Sequence, residues 1–362
     1  MSFATPPARR HFASDNFAGI CPEALAALVE ANAGHAPSYG ADAWTAEATR
    51  LVREVFETDC EVFFVFNGTA ANSLSLASLR APFESVLCYE HAHIATDECG
   101  APGFFAHGAT LTPLPGENGK LSPATVRAAA TGRRDVHAQK PRAISLTQST
   151  ELGTVYSLDE IGALAQAARA HGLAVHMDGA RFANAVAALD ATPRAVTAGV
   201  DVLSFGGTKN GLPFGEAVVF FDRELARQFE YRRKQAGQLA SKMRYVAAPW
   251  IGVLRDGAWL RHAAHANAMA AALERGLRTL PDVEIVYPRQ ANAVFAALPS
   301  PTTAALHSAG WQFYSDVGPA AAARLMCAWD TTPEDVATFL RDATEKAAGE
   351  MRDAVPPSRP SL

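Results

Sequence analysis

Between about residues 60 and 221, short apolar, β-favouring runs alternate with Ala-rich stretches whose apolar positions recur at helical spacing. That alternation predicts an α/β unit. The strand-like runs are 60–67, 85–90, 110–115, 142–148, 173–178, 201–206 and 217–221. Most are apolar throughout, as strands covered on both faces are. One helix is marked in detail: Ser157 and Glu160 are spaced as a capping box, Ile161, Leu164, Ala165 and Ala168 form a stripe, and Gly172 stops it. Between the sixth and seventh runs lie only residues 207–216, rich in Gly, fewer than the dozen or so a parallel crossover needs. The last strand is therefore expected to run antiparallel in an otherwise parallel seven-stranded sheet.

After Pro249 the pattern changes to one long helical stretch, about 251–280, read as a connector. Strand-like runs follow at 282–287, 293–298, 310–315 and 324–329, and a helix opens at Thr332-Pro333-Glu334-Asp335, with a capping Thr and acids in its first turn. The chain divides on this reading into a large unit, 1–250, and a connector plus small α+β unit, 251–362. The Pro- and Ser-rich tail 356–362 is expected to fray.

Composition narrows the function classes. With 32 basic and 37 acidic residues the formal charge is −5, so no overall positive field favours nucleic acid or an anionic membrane. The 49% hydrophobic and 19% charged content is that of a globular chain, and no apolar stretch reaches the roughly 20 residues of a membrane span. The five cysteines, Cys21, Cys60, Cys88, Cys99 and Cys327, show no C-x-x-C spacing, which argues against a disulfide framework or a zinc site. The opening MSFATPPARRHF lacks the apolar core of a signal peptide, so a reducing, cytoplasmic setting is expected.

Polar residues gather where the predicted strands end, the edge at which open α/β sheets build sites. The first strand ends in Asn67-Gly68-Thr69-Ala70-Ala71-Asn72, which is either an ordinary capped turn or a phosphate cup at a helix N-terminus. The fifth ends in His176-Met177-Asp178-Gly179-Ala180-Arg181. An Asp there needs a positive partner, either Arg181 itself or the protonated ring nitrogen of a cofactor. The sixth ends in Gly206-Gly207-Thr208-Lys209-Asn210-Gly211, where the Lys is either a solvated loop residue or a partly neutral amine able to form a Schiff base. A P-loop does not fit, because Asn210 follows the Lys and a strand comes soon after. Gly68 and Thr69, Asp178 and Lys209 are together the three anchors that pyridoxal phosphate requires.

With these residues in view, the sequence resembles the low-specificity threonine aldolases of the fold-type-I, beta-eliminating lyase group of pyridoxal phosphate enzymes. The matching stretches are Ser14-Asp15-Asn16, Tyr39-Gly40, Gly68-Thr69-Ala70-Ala71-Asn72, His91-Ala92-His93-Ile94 with Glu98, His176-Met177-Asp178-Gly179-Ala180-Arg181, Thr208-Lys209, Met243-Arg244 and Arg324. The resemblance implies that Lys209 is the Schiff-base lysine, that Asp178 pairs with the pyridine nitrogen and that Arg181 lies beside the 3′-oxygen. It implies that His93 stacks on the ring and relays a proton, and that Gly68 and Thr69 hold the phosphate with Arg244 from a neighbouring subunit. Arg324, helped by Ser14, would grip the substrate carboxylate, and Tyr39 would lie near the substrate or an interface. Where many members carry E-N-T-H-N this chain reads Gln148-Ser149-Thr150-Glu151-Leu152-Gly153, which makes Glu151 and His93 the candidates for the base at the substrate hydroxyl. The segment after Arg232-Arg233-Lys234 is also about three residues longer than usual.

The expected activity is cleavage of L-threonine, L-allo-threonine and related 3-hydroxy-α-amino acids such as phenylserine to glycine and an aldehyde, in a homodimer or homotetramer with shared sites. An aminotransferase or β-eliminating lyase uses similar anchors, and a non-catalytic binding protein on this fold is a third reading. A dinucleotide-binding oxidoreductase is disfavoured, since no G-x-G-x-x-G follows the first strand. His262 and His265, at i and i+3, are read as a solvated helix face and His91 and His93 as lacking a partner set, so no catalytic metal is expected.

Overall fold

The computed structural model describes residues 11–353 apart from Arg80, Arg134 and Pro319, with no side-chain description for 345–353; the tail at 356–362 lies outside the described residues. The seven expected strands all form: β1 (Glu61–Val65), β2 (Glu84–Tyr89), β3 (Thr110–Leu114), β4 (Lys140–Thr147), β5 (Ala174–Gly179), β6 (Val202–Phe205) and β7 (Glu216–Phe220). They make one sheet in the order β1-β7-β6-β5-β4-β2-β3. β7 pairs antiparallel with both β1 and β6, while β2 to β6 pair in parallel, so six strands share one direction. Every residue of β6 and β7 is buried, which is why these strands read as continuous apolar runs. The capping box at Ser157 and Glu160 is present, starting the helix Leu158–Ala170.

The expected single connector is two helices. Arg244–Arg255 ends at Asp256, and Ala258–Leu277 begins after Gly257, whose φ of +65° no helix interior accommodates. Beyond it lies an antiparallel sheet, β8 (Glu284–Ile285), β9 (Ala293–Ala297), β10 (Tyr314–Val317) and β11 (Ala322–Met326), in the order β10-β11-β9-β8. β10 starts four residues later than the sequence suggests, and a helix at Ser300–Ser308 fills a stretch that the pattern leaves unassigned. The helix expected after Thr332 runs from Pro333 to Asp353.

The N-terminal segment straps the two sheets together. Phe12 N donates to Gln312 O and Phe12 O accepts from Met326 N, each at 2.7 Å. The Phe12 ring stacks on Trp311 and meets Phe339 edge-on, inside the small apolar cluster under the second sheet. Three residues later the same segment reaches the edge of the large sheet with Asp15. A short helix, α1 (Pro22–Ala31), and then α2 (Ala43–Phe56) follow, before α3 (Gly68–Ser78) leaves β1.

Candidate functional site

The carboxyl ends of β1, β4, β5 and β6 open onto a cavity of about 390 Å3. Strand register builds its floor: Thr147, Asp178 and Ser204 stand side by side across β4, β5 and β6. All three line the cavity, with Gly68, Thr69, Asn72, His93, Glu151, Arg181 and Lys209. Beneath Asp178, His176 is fully buried between Ser145 Oγ at 2.9 Å and Ser204 Oγ at 3.1 Å.

α3 starts where Asn67 caps it, its Oδ1 accepting from Ala70 N at 2.9 Å. Gly68 and Thr69 therefore present the helix N-terminus to the cavity, a place that favours an anion. One turn on, buried Asn72 uses both protons of its amide: Nδ2 donates to Glu98 Oε1 at 2.9 Å and to Asp178 Oδ2 at 2.8 Å. Asp178 Oδ1 accepts from Ala180 N at 3.0 Å. Asp178 is thus held as an acceptor by neutral donors, and Arg181 is not its hydrogen-bonding partner.

Arg181 turns instead to Asp15, 166 residues away, donating Nε to Oδ2 at 2.7 Å and Nη2 to Oδ1 at 2.9 Å. Asn292 Nδ2 adds a third donor to Asp15 at 3.2 Å. Burial alone would raise the Asp15 pKa, but the Arg181 charge and its hydrogen bonds outweigh it and hold the carboxyl below its ordinary value. Lys209 sits on the turn Thr208–Asn210 after β6. Burial, seconded by the Arg181 charge, lowers its ammonium pKa against the pull of Asp15, Asp178 and Glu216. Among the described residues Lys209 Nζ makes no hydrogen bond. Glu216, buried at the start of β7, accepts from Gly207 N and so ties the lysine turn to its neighbouring strand.

His93 opens a short helix, His93–Thr96. Its Nδ1 is 2.9 Å from Glu98 Oε1, a contact that raises the ring's pKa. Glu151 reaches the same corner, where Oε1 accepts from His93 N at 2.8 Å and from Thr147 Oγ1 at 2.9 Å. Its Oε2 is buried without a partner, and burial raises the carboxyl's pKa.

Four expected residues lie outside the cavity lining. Ser14 Oγ caps the turn at Asp15–Phe17 by accepting from Asn16 N at 3.2 Å. Arg324 donates Nη2 to Ala13 O at 3.1 Å and lies over the Tyr314 ring; burial and the Arg181 charge lower its pKa. Tyr39 is half-exposed with Lys234 over its ring, and Arg244 donates to Gly34 O and to Tyr245 Oη, each at 3.2 Å. His265 and His262 point to different partners: His265 Nε2 meets Thr331 O, and His262 Nε2 meets Glu23. The residues that sequence reasoning gave no role are Asp15, Asn72, Glu98 and Glu216. Asp15, Asn72 and Glu98 do fall in the stretches that carry the resemblance, and Glu216 is an acid standing just ahead of a fully apolar run.

The beta-eliminating lyase family matches this chain over residues 11–299. A low specificity L-threonine aldolase from a Pseudomonas species is 54% identical over 92% of this chain and 96% of its own length. Another so named, from Pseudomonas aeruginosa, is 55% identical over the same shares. Among solved structures, a threonine aldolase from Leishmania major superposes with a TM-score of 0.88 at 28% identity, covering 93% of this chain and 99% of that one.

Proposed function

This chain belongs to the beta-eliminating lyase family, and from that membership we propose that it is a low-specificity L-threonine aldolase, cleaving L-threonine, L-allo-threonine and related 3-hydroxy-α-amino acids to glycine and an aldehyde. The observation that carries the reading is one cavity faced by an amine whose pKa burial has lowered, a carboxylate fixed by neutral donors and a capped helix N-terminus. The names of the two Pseudomonas relatives favour an aldolase over an aminotransferase.

The donor set fits pyridoxal phosphate. Bound there, the cofactor supplies a sink for the electron pair released from Cα when the Cα–Cβ bond breaks. Lys209 would hold its aldehyde carbon, burial lowering its pKa and so favouring the nucleophilic, unprotonated form. Asp178, fixed by Asn72 and Ala180, would keep a proton on the ring nitrogen. Gly68 and Thr69 would take the phosphate, completed by Arg244 of a neighbouring subunit. Arg181, anchored by Asp15, would stand beside the ring oxygen, and His93 would cover the ring face.

Arg324, with Ser14, would bind the substrate carboxylate and so orient the bond to be broken. Glu151 would take the proton of the substrate hydroxyl: its Oε2 is a carboxylate oxygen of the cavity that is buried without a partner, and its raised pKa suits a general base. Tyr39 would lie at the substrate entrance or at a subunit interface. We further assign 1–250 to a cofactor-binding unit and 251–362 to a small one, in a cytoplasmic homo-oligomer.

The test compares wild type with Lys209→Ala. The purified wild type should carry a visible cofactor band that borohydride bleaches and fixes on Lys209. It should yield glycine and acetaldehyde from L-threonine without a keto-acid acceptor, and the variant should lose both properties. A wild type that takes up no cofactor when incubated with pyridoxal phosphate overturns the reading.

A further inference from the structure

Away from the cavity, the start of α1 meets the helix Ala258–Leu277 at three side chains of metal-binding type. Donor atoms of Cys21, Glu23 and His262 all lie within 4.8 Å of one another. His262 Nε2 is already 3.0 Å from Glu23 Oε2. The three sit at graded depth: Cys21 is fully buried, while the His262 and Glu23 side chains are 16% and 32% exposed. A cation arriving from solvent meets the carboxylate and imidazole first and the sulfur last. Cys21 is fixed from behind, since its N–H donates to Gly211 O at 2.8 Å. The imidazole is fixed as well, edge-on to the Trp329 ring at 5.2 Å.

We propose that Cys21, Glu23 and His262 form a binding site for a borderline-soft divalent cation of the zinc class, with water as fourth ligand. A tetrahedral centre with bonds of about 2.0–2.3 Å places its donors roughly 3.3–3.8 Å apart, so side-chain shifts of about 1 Å close the present arrangement. One sulfur, one nitrogen and one oxygen donor select zinc or cobalt over magnesium and calcium, which take oxygen. Binding releases the thiol proton to solvent, shifts the proton that His262 Nε2 shares with Glu23 to Nδ1 by tautomerisation of the neutral ring, and replaces that hydrogen bond with two metal bonds. None of the three residues touches the cavity, so the site stands apart from the aldolase reading.

The test uses the full chain without an affinity tag, stripped with chelator and titrated with cobalt(II), then zinc(II). One equivalent of cobalt should produce thiolate-to-metal charge-transfer absorption, and one equivalent of zinc should displace it. Cys21→Ser should abolish the band. Glu23→Gln, a change at a partly exposed residue that leaves the core alone, should weaken cobalt binding at least tenfold, as should His262→Gln. Cys99→Ser, which removes the exposed cysteine, should leave the band intact. Absence of the band in wild type, its survival in Cys21→Ser, or its loss in Cys99→Ser overturns the proposal.

Discussion

Replacing Asp15 with Ala removes the carboxylate that neutralises Arg181. The pair is bidentate and buried, with side-chain exposures of 1% for Asp15 and 13% for Arg181. Taking away one member of such a pair strands the other charge in a poorly solvated place, at a cost of about 3–5 kcal/mol. That is about a third of the ~5–15 kcal/mol by which a folded domain typically exceeds its unfolded state. With an m-value near ~3 kcal/mol per molar urea, the midpoint should fall by about 1–2 M. The measurement is a urea melt at fixed protein and cofactor concentration, because bound partners shift apparent stability.

The companion variant is Asp15→Ala with Arg181→Leu, which removes the stranded charge and should regain a substantial part of the loss. The pH dependence has a definite sign. The folded-state pKa of Asp15 is lowered, so the pair's stabilisation is full above the unfolded carboxyl's ordinary value of about 3.9 and is lost as pH falls through the folded value. Asp15→Ala should therefore flatten the acid limb of the stability profile. A single variant whose midpoint moves by less than about 0.3 M, with no recovery in the double, would refute the reasoning by showing that Arg181 finds water or another carboxylate at little cost.

Glu151→Gln should lower turnover by about 10²–10⁴-fold with little change in cofactor loading, read as glycine formed per bound cofactor. Its stability effect has the opposite sign to that of Asp15: burial raises the Glu151 pKa, so the ionised group weighs against the fold as pH rises, and the variant should be at least as stable as wild type at neutral pH. Gly206→Ala should fail for steric reasons, because its Cβ would stand 2.5 Å from Ala180 O, a backbone atom of the strand end that carries Asp178. A loss of about 1–3 kcal/mol in a denaturant melt, together with reduced cofactor uptake, is expected.

The large sheet was legible because its strands are buried on both faces and so are apolar from end to end. The reversed direction of β7 followed from chain length alone, ten residues being too few to cross over. The small sheet was less legible for the opposite reason: β10 is mostly exposed and its Tyr-Ser-Asp-Val sequence advertises no buried face. The helix Ser300–Ser308 buries only Thr302 and Leu306, so it carries no stripe to read. At the cavity, strand ends located Lys209, Asp178 and the Gly68-Thr69 turn, since each is a polar residue closing an apolar run. The pairing of Arg181 was not legible. Arg181 and Asp178 are near neighbours in sequence, whereas Asp15 is brought in only by the N-terminal strap, and no local pattern reports a contact across 166 residues.

That strap also sets a clock on biogenesis. Ala13 and Arg324, joined by a hydrogen bond, are 311 residues apart in the chain, and Phe12 closes its backbone bonds on Gln312 and on Met326 of β11. At a synthesis rate of about 5–20 residues per second, Ala13 waits roughly 15–60 s for Arg324 to be made. Through that interval Phe12 has no Trp311 or Phe339 to cover it, and Asp15 can meet Arg181 long before Asn292 is made. The large sheet can assemble during translation, but the molecule is tied shut only after its last third has been made. A nascent chain stalled before β11 should therefore present its N-terminal segment to proteases and chaperones, and release of the finished chain should withdraw it.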